Sequence, residues 1–282
     1  MIAVVGVLCS TALAGAPLGP PRSLVKHGEW AVNLEYGREE MDLKTYGKMK
    51  EAYIYEGEIV EEYCEYTVMQ ITNLELNAFF GSLEYGLCDR WEVFLRLGIA
   101  DAQDDITPMA CASEEYEEEF NFDGDYGLAW GGGTKMTICQ YGDWTFGGVL
   151  QVTWLYPDES DVEWVYPPDP NERFAGKAEL ELRQIQAGIG ATLDLDNWFV
   201  YGGICWFFMR GDMDFNGSFY DDADVGNEEQ ERIDASHNVD EEQEFGFWAG
   251  LGCRLDTAVC FAEAQIFDDY WLIGGGVKIP LP

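Results

Sequence analysis

The residues that could do chemistry in this chain are carboxylates before anything else: 53 Asp and Glu stand against 16 Lys and Arg and only 2 His, for a formal net charge of -37. Of those acids, 35 fall in the four stretches 39–70, 101–125, 157–177 and 217–243, together with only 6 basic residues. Dense like charge of this kind reads first as solvated, self-repelling loops. Clustered carboxylates also suit a hard divalent cation such as calcium, which takes oxygen ligands. The charge balance argues against nucleic acid and anionic lipid as partners.

The most local metal candidate is Asp212-Met213-Asp214-Phe215-Asn216-Gly217, which copies the first half of a calcium-loop pattern with Asp212, Asp214 and Asn216 as ligands. Its twelfth position is Ala223, where the pattern needs a bidentate Glu. Strand alternation alone would also put Asp212 and Asp214 on one face. For acid–base chemistry the chain offers His27 and His237, the latter in Ser236-His237-Asn238-Val239-Asp240, where Asp234 or Asp240 could partner it. A lone histidine among acids reads more simply as solvated, so no catalytic residue, organic cofactor or nucleotide, zinc or phosphate motif is expected. Among 8 cysteines, Cys253 and Cys260 should face each other across an Asp256-Thr257 turn, and Cys64 could reach Cys111 between two loops.

The elements that must position these groups are strands. Residues 1–14 read as a signal peptide, with an apolar run from Ile2 to Leu13 ending in Ala12-Leu13-Ala14, too short to span a bilayer as a helix. Residues 15–28 then read as a periplasmic N-terminal segment, and 29–282 as one all-β domain. Period-two alternation marks ten strands, beginning near Trp30, Ile71, Trp91, Asp125, Trp144, Ala178, Trp198, Glu244, Ala258 and Tyr270. Tight turns alternate strictly with the four acidic stretches. Trp30, Trp91, Trp144 and Trp198 each sit near the start of a strand leaving the tight-turn end, as aromatics at a lipid–water interface would.

One face of most strands is Trp, Phe, Leu, Ile and Val, and the other is glycine mixed with charge. Glycine gains nothing on a solvated surface, but a narrow barrel interior needs it. The apolar face therefore goes to lipid, and Glu35, Glu92, Arg96, Lys135, Arg210, Asp212, Arg254, Glu263 and Lys278 are assigned to the lumen, where buried charges need partners. Two strands lose phase: Leu74 and Leu76 against Leu83, Tyr85 and Leu87, and Leu180 and Leu182 against Ile185, Ala187 and Ile189. A β-bulge, or a strand continuing beyond the membrane, would account for each. The fold class is thus a ten-stranded antiparallel up-and-down transmembrane β-barrel, with eight strands plus a loop hairpin as the alternative.

Tyr85-Gly86-Leu87-Cys88-Asp89-Arg90-Trp91-Glu92-Val93 resembles the YGLxDR(L/W)EV turn of small surface-protein barrels in the outer-membrane β-barrel superfamily of Gram-negative-type bacteria. The resemblance implies location in the outer membrane, with outer-membrane lipid and the barrel insertion machinery as partners. It departs at the end, VKIPLP, where such barrels carry a terminal aromatic residue. The architecture also resembles the omptin proteases, which carry Asp and His on the extracellular rim. The leading expectation is a non-enzymatic surface protein, structural or adhesive. A narrow cation-selective pore and an omptin-like rim protease are the alternatives, and no extracellular partner is identified.

Overall fold

A computed structural model describes residues 16–55, 58–109, 120–165, 172–221, 228–268 and 270–282. They form eleven antiparallel strands: β1 (Trp30–Tyr55), β2 (Glu58–Cys88), β3 (Trp91–Met109), β4 (Phe120–Tyr141), β5 (Trp144–Tyr156), β6 (Ser160–Val165), β7 (Glu172–Leu195), β8 (Trp198–Asp221), β9 (Glu228–Arg254), β10 (Val259–Ile266) and β11 (Tyr270–Pro280). Each pairs with its successor except that β5 pairs directly with β7, and β1 pairs with β11, so ten strands close a ring. β6 resumes the line of β5 after Pro157-Asp158-Glu159 and pairs with the far half of β7. Closure leaves the ring no edge strand to aggregate through.

The expected tight turns are all at one end. At two of them the chain needs a left-handed residue, and finds it in Gly142 (φ 58) and Asp196 (φ 53). The expected long loops are not loops within the described residues. Stretches 39–55 and 58–70 are the continuous far halves of β1 and β2, and 228–243 is the far half of β9. In these tall hairpins the ladder satisfies the backbone N–H and C=O groups, while acids such as Glu58, Glu61, Glu62 and Asp234 stay in water.

The ring has two tiers. β10 and β11 end at Ile266 and Tyr270, and beyond them β1 pairs directly with β9, from Thr45 opposite Val239 to Tyr53 opposite Glu231. The ring of ten strands therefore narrows above β10 and β11. In the lower tier the outward side chains are apolar, with Leu95 74%, Ile189 62% and Phe247 70% exposed, and the inward ones mix charged and amide groups with glycine and rings such as Phe94, Phe199, Trp248 and Phe261. In the upper tier Leu43, Ile71, Leu74, Leu180, Leu182, Met209 and Met213 point inward and are buried, while Asp42, Lys44, Glu181, Arg183, Asp212 and Asp214 are exposed.

This inversion explains the lost phase. β7 runs from Glu172 to Leu195 against β8 without a register shift, so the two sets of apolar residues lie on opposite faces of one regular strand. Leu180, Leu182, Gln184 and Gln186 all face inward, and only the polarity changes between them. In β2 the bulge falls between Thr72 and Glu75, with Asn73 left-handed at φ 57, and not at the Phe79-Phe80 break. The alternatives posed by the sequence resolve toward strands that continue past the apolar belt.

Candidate functional site

The lumen of the lower tier is not empty. Residues 16–25, expected as part of a periplasmic lead-in, instead thread the ring: Ala16, Leu18, Arg22 and Val25 are all at most 6% exposed. The segment descends toward the tight-turn end, reverses at Gly28 (φ 77), whose N–H donates to Gly86 O, and rises again as β1. Little in its sequence announces this, because a Pro-rich extended segment makes no periodic pattern and finds its hydrogen-bond partners on the wall.

Those partners are the inward carboxylates and amides. Glu263 accepts from the backbone N–H of Leu18 and Gly19, each at 2.7 Å, from Tyr201 OH at 2.9 Å and from Gln265 Nε2 at 2.9 Å. Glu92 Oε2 accepts from the N–H groups of Leu24 and Val25 at 2.6 and 2.9 Å, while its Oε1 faces Lys278 Nζ at 3.1 Å. Gln151 donates to Ala16 O and accepts from Arg96, both at 2.9 Å, and Trp248 Nε1 donates to Gly19 O at 3.3 Å. Arg22 makes a two-pronged ion pair with Asp194 at 2.7 and 2.9 Å. Glycine makes the passage: a Cβ at Gly147 would run into Pro21 O, and one at Gly86 into Lys26 O.

The structure brings Glu35, Glu92, Arg96, Lys135, Glu263 and Lys278 together inside the ring, each buried. Lys278 bridges Glu84 at 2.6 Å and Glu92, and Glu35 accepts from Ser82 at 2.9 Å with Arg96 at 3.8 Å. Arg96 lies over the Phe94 ring at 4.7 Å, and Lys135 faces the Phe94 and Phe261 rings. Arg254 also faces inward, but at the tight-turn mouth, where it joins Asp194 and donates to Asp196 O at 3.0 Å.

Two assigned lumen charges lie elsewhere. Arg210 and Asp212 are exposed on the outer wall, in phase with Trp206 and Phe208. Polarity misplaced them because they lie where the polar face changes side. Sequence reading also missed Glu84, Gln186 and Trp248. Glu84 was legible in alternation with Ser82 and Gly86, whereas an inward Trp looks like another lipid-facing one. Trp248 finds room only because Gly188, Gly190 and Gly203 face it.

Trp30, Trp91, Trp144 and Trp198 all point outward at the tight-turn end, 44–55% exposed. Asp212, Asp214 and Asn216 lie on the exposed face of continuous β8, so the calcium-type loop is not formed there, and among the described residues no three acidic, histidine or cysteine side chains converge as metal ligands. His237 is buried in the upper tier with Nε2 2.7 Å from Thr67 Oγ1, while Asp234 is exposed on the opposite face of β9. The Asp240 side chain and Cys111 lie outside the described residues. Cys253 and Cys260 are direct cross-strand partners with free thiols. Burial holds the His237 imidazole below its ordinary value, with Asp214 pulling it upward.

An apolar outer belt, closed antiparallel pairing of ten strands and an interior holding buried charged groups are the architecture by which a β-barrel crosses a membrane. The chain has the fold of a closed antiparallel β-barrel. No family model and no curated protein matches it. Solved structures similar to it include the outer membrane protease OmpT from Escherichia coli, at 9% identity and TM-score 0.43, with 90% of this chain and 97% of that one covered. The outer membrane protein OprG from Pseudomonas aeruginosa is similar at 12% identity and TM-score 0.43, with the same coverage. The β domain of the Bordetella autotransporter BrkA is similar at 11% identity and TM-score 0.39, covering 91% of this chain and 100% of that one.

Proposed function

We propose that this protein is a closed surface barrel with a structural or adhesive role, neither a pore nor an enzyme. The observation that carries the proposal is the lumenal segment 16–25, tied to the wall at Gln151, Glu263, Trp248, Asp194 and Glu92 across the lower tier. A cation path through the ring would have to displace backbone that is hydrogen-bonded to the very carboxylates that would otherwise attract the cation. The non-enzymatic reading is supported by the placement of His237, which faces an apolar interior across the wall from Asp234. The upper tier then serves to hold acidic hairpins clear of the membrane, where they can meet basic or cation-bridged surfaces.

Planar-bilayer recording of the full-length protein tests the reading. The expected result is a sealed bilayer, with conductance appearing when residues 16–25 are deleted. Stepwise cation-selective conductance of the unaltered protein would overturn it in favour of the narrow pore.

A further inference from the structure

At its upper limit the lumenal segment meets a buried acid that has no basic partner among the described residues. Glu39 of β1 points inward and is fully buried, and each of its oxygens has a neutral donor: Gln184 Nε2 at Oε1, and Tyr270 OH at Oε2 at 2.6 Å. β1 and β7 stand five strands apart in the ring of ten, so the Gln184–Glu39 contact is a bar across the lumen. The nearest basic groups are directed elsewhere. Arg38 and Lys44 lie on the outward face of β1, with Arg38 paired to Glu75, while Lys278 holds Glu84 and Glu92 and Arg96 holds Gln151. A buried carboxylate is costly without a cation. On the same bar, Gln184 Oε1 is a buried acceptor with no hydrogen-bond partner among the described residues.

Two walls place this bar directly above Ala16. On the β1–β11 side, a Cβ at Gly274 would lie 3.1 Å from Pro17 Cβ, and the next inward pair above Gly37 and Gly274 is Glu39 and Leu272. On the β7 side, Gln151 donates to Ala16 O at 2.9 Å and to Gln186, and the next inward residue above Gln186 is Gln184. One residue ahead of Ala16, a reach of about 3.8 Å, therefore meets the bar. Beyond it the inward wall is Met41, Leu43, Leu180, Leu182 and Met209, whose side chains offer no partner to a backbone continuing upward.

We infer that Glu39 and Gln184 form a binding site for a primary ammonium, and that its occupant is the chain's own α-ammonium, created by hydrolysis of the Ala14–Gly15 peptide bond. Water adds across that bond: residues 1–14 leave with a new carboxylate at Ala14, and Gly15 keeps the protonated amine. An ammonium has three N–H donors and no acceptor, which matches a carboxylate beside an orphaned amide oxygen. It supplies the missing cation and brings no counter-ion with it. Processing thus anchors the lumenal segment from above, as Glu92 and Asp194 anchor it from below. This goes beyond the sealed-barrel reading and holds equally for a barrel that conducts.

The test starts from protein recovered from membranes in uncharged detergent, whose intact mass should correspond to a start at Gly15. The processed chain is then unfolded, acetylated at its α-amine at about pH 6.5, where lysine amines stay protonated, and refolded. Hydrogen exchange at the Leu18 and Gly19 amides reads the anchorage. Acetylation and Glu39→Gln should each speed it about tenfold, the worth of one hydrogen bond to a charged group, and acetylating the Glu39→Gln chain should add nothing further. If Glu39→Gln does not refold, the acetylated wild type, which carries no substitution, still decides. A membrane form that retains residues 1–14, exchange unchanged by acetylation, or an equal effect of acetylation with and without Glu39 would each overturn the site.

Discussion

Glu263 and Glu92 each do for the lumenal segment what a neighbouring strand does for an ordinary one: they accept two successive backbone N–H groups that have no other partner among the described residues. Removing such an acceptor leaves buried donors unsatisfied at a cost of about 1–3 kcal/mol each. Glu263→Leu is therefore expected to lower stability toward denaturant in detergent by at least that amount, whereas Glu35→Gln, whose partners are wall side chains, should free no part of the segment. His237 makes a different prediction. Its folded value lies below the ordinary 6.5, so as pH falls the unfolded chain binds the proton first and stability is lost from about pH 6.5 downward. Thermal unfolding curves of the wild type and His237→Leu should diverge below that pH and run parallel above it. A constant difference across pH 5–8 would contradict the burial of a neutral imidazole.

Each long strand carries two opposite instructions in sequence. Below the boundary its apolar side chains belong outside, and above it they belong inside, as Ile189 and Leu180 of β7 show. This gives a paired prediction. Leu95→Arg, at the most exposed position of the β3 belt, should cost about 2–4 kcal/mol and impair insertion. Leu180→Arg buries a charge in the upper core and should leave insertion and heat-modifiable gel mobility intact, while exposing the far hairpins to added protease. The lower tier was legible because alternation, glycine and the four Trp positions agree there. Arg210 and Asp212 were misread because polarity stands for direction only while the surroundings stay constant, and at the boundary lipid gives way to water. The far halves of β1, β2 and β9 were read as loops because strings of acids lower β-propensity, which cross-strand pairing overrides.

At the scale of the whole molecule, the closed ring, its narrowing above β10 and β11 and the lumenal segment make one object: a wall that is apolar outside, occupied inside and extended beyond the belt by a conventional apolar core. The ring was readable from its own alternation, but the occupant was not, since residues 16–25 acquire their structure entirely from the wall. That occupancy is the central claim, and amide hydrogen exchange of the full-length protein in detergent tests it most directly. The account predicts that the N–H groups of Leu18, Gly19, Leu24 and Val25 exchange as slowly as those of the β1 and β3 ladders. Exchange of those four amides at the rate of a free peptide, with the ladders still protected, would contradict it.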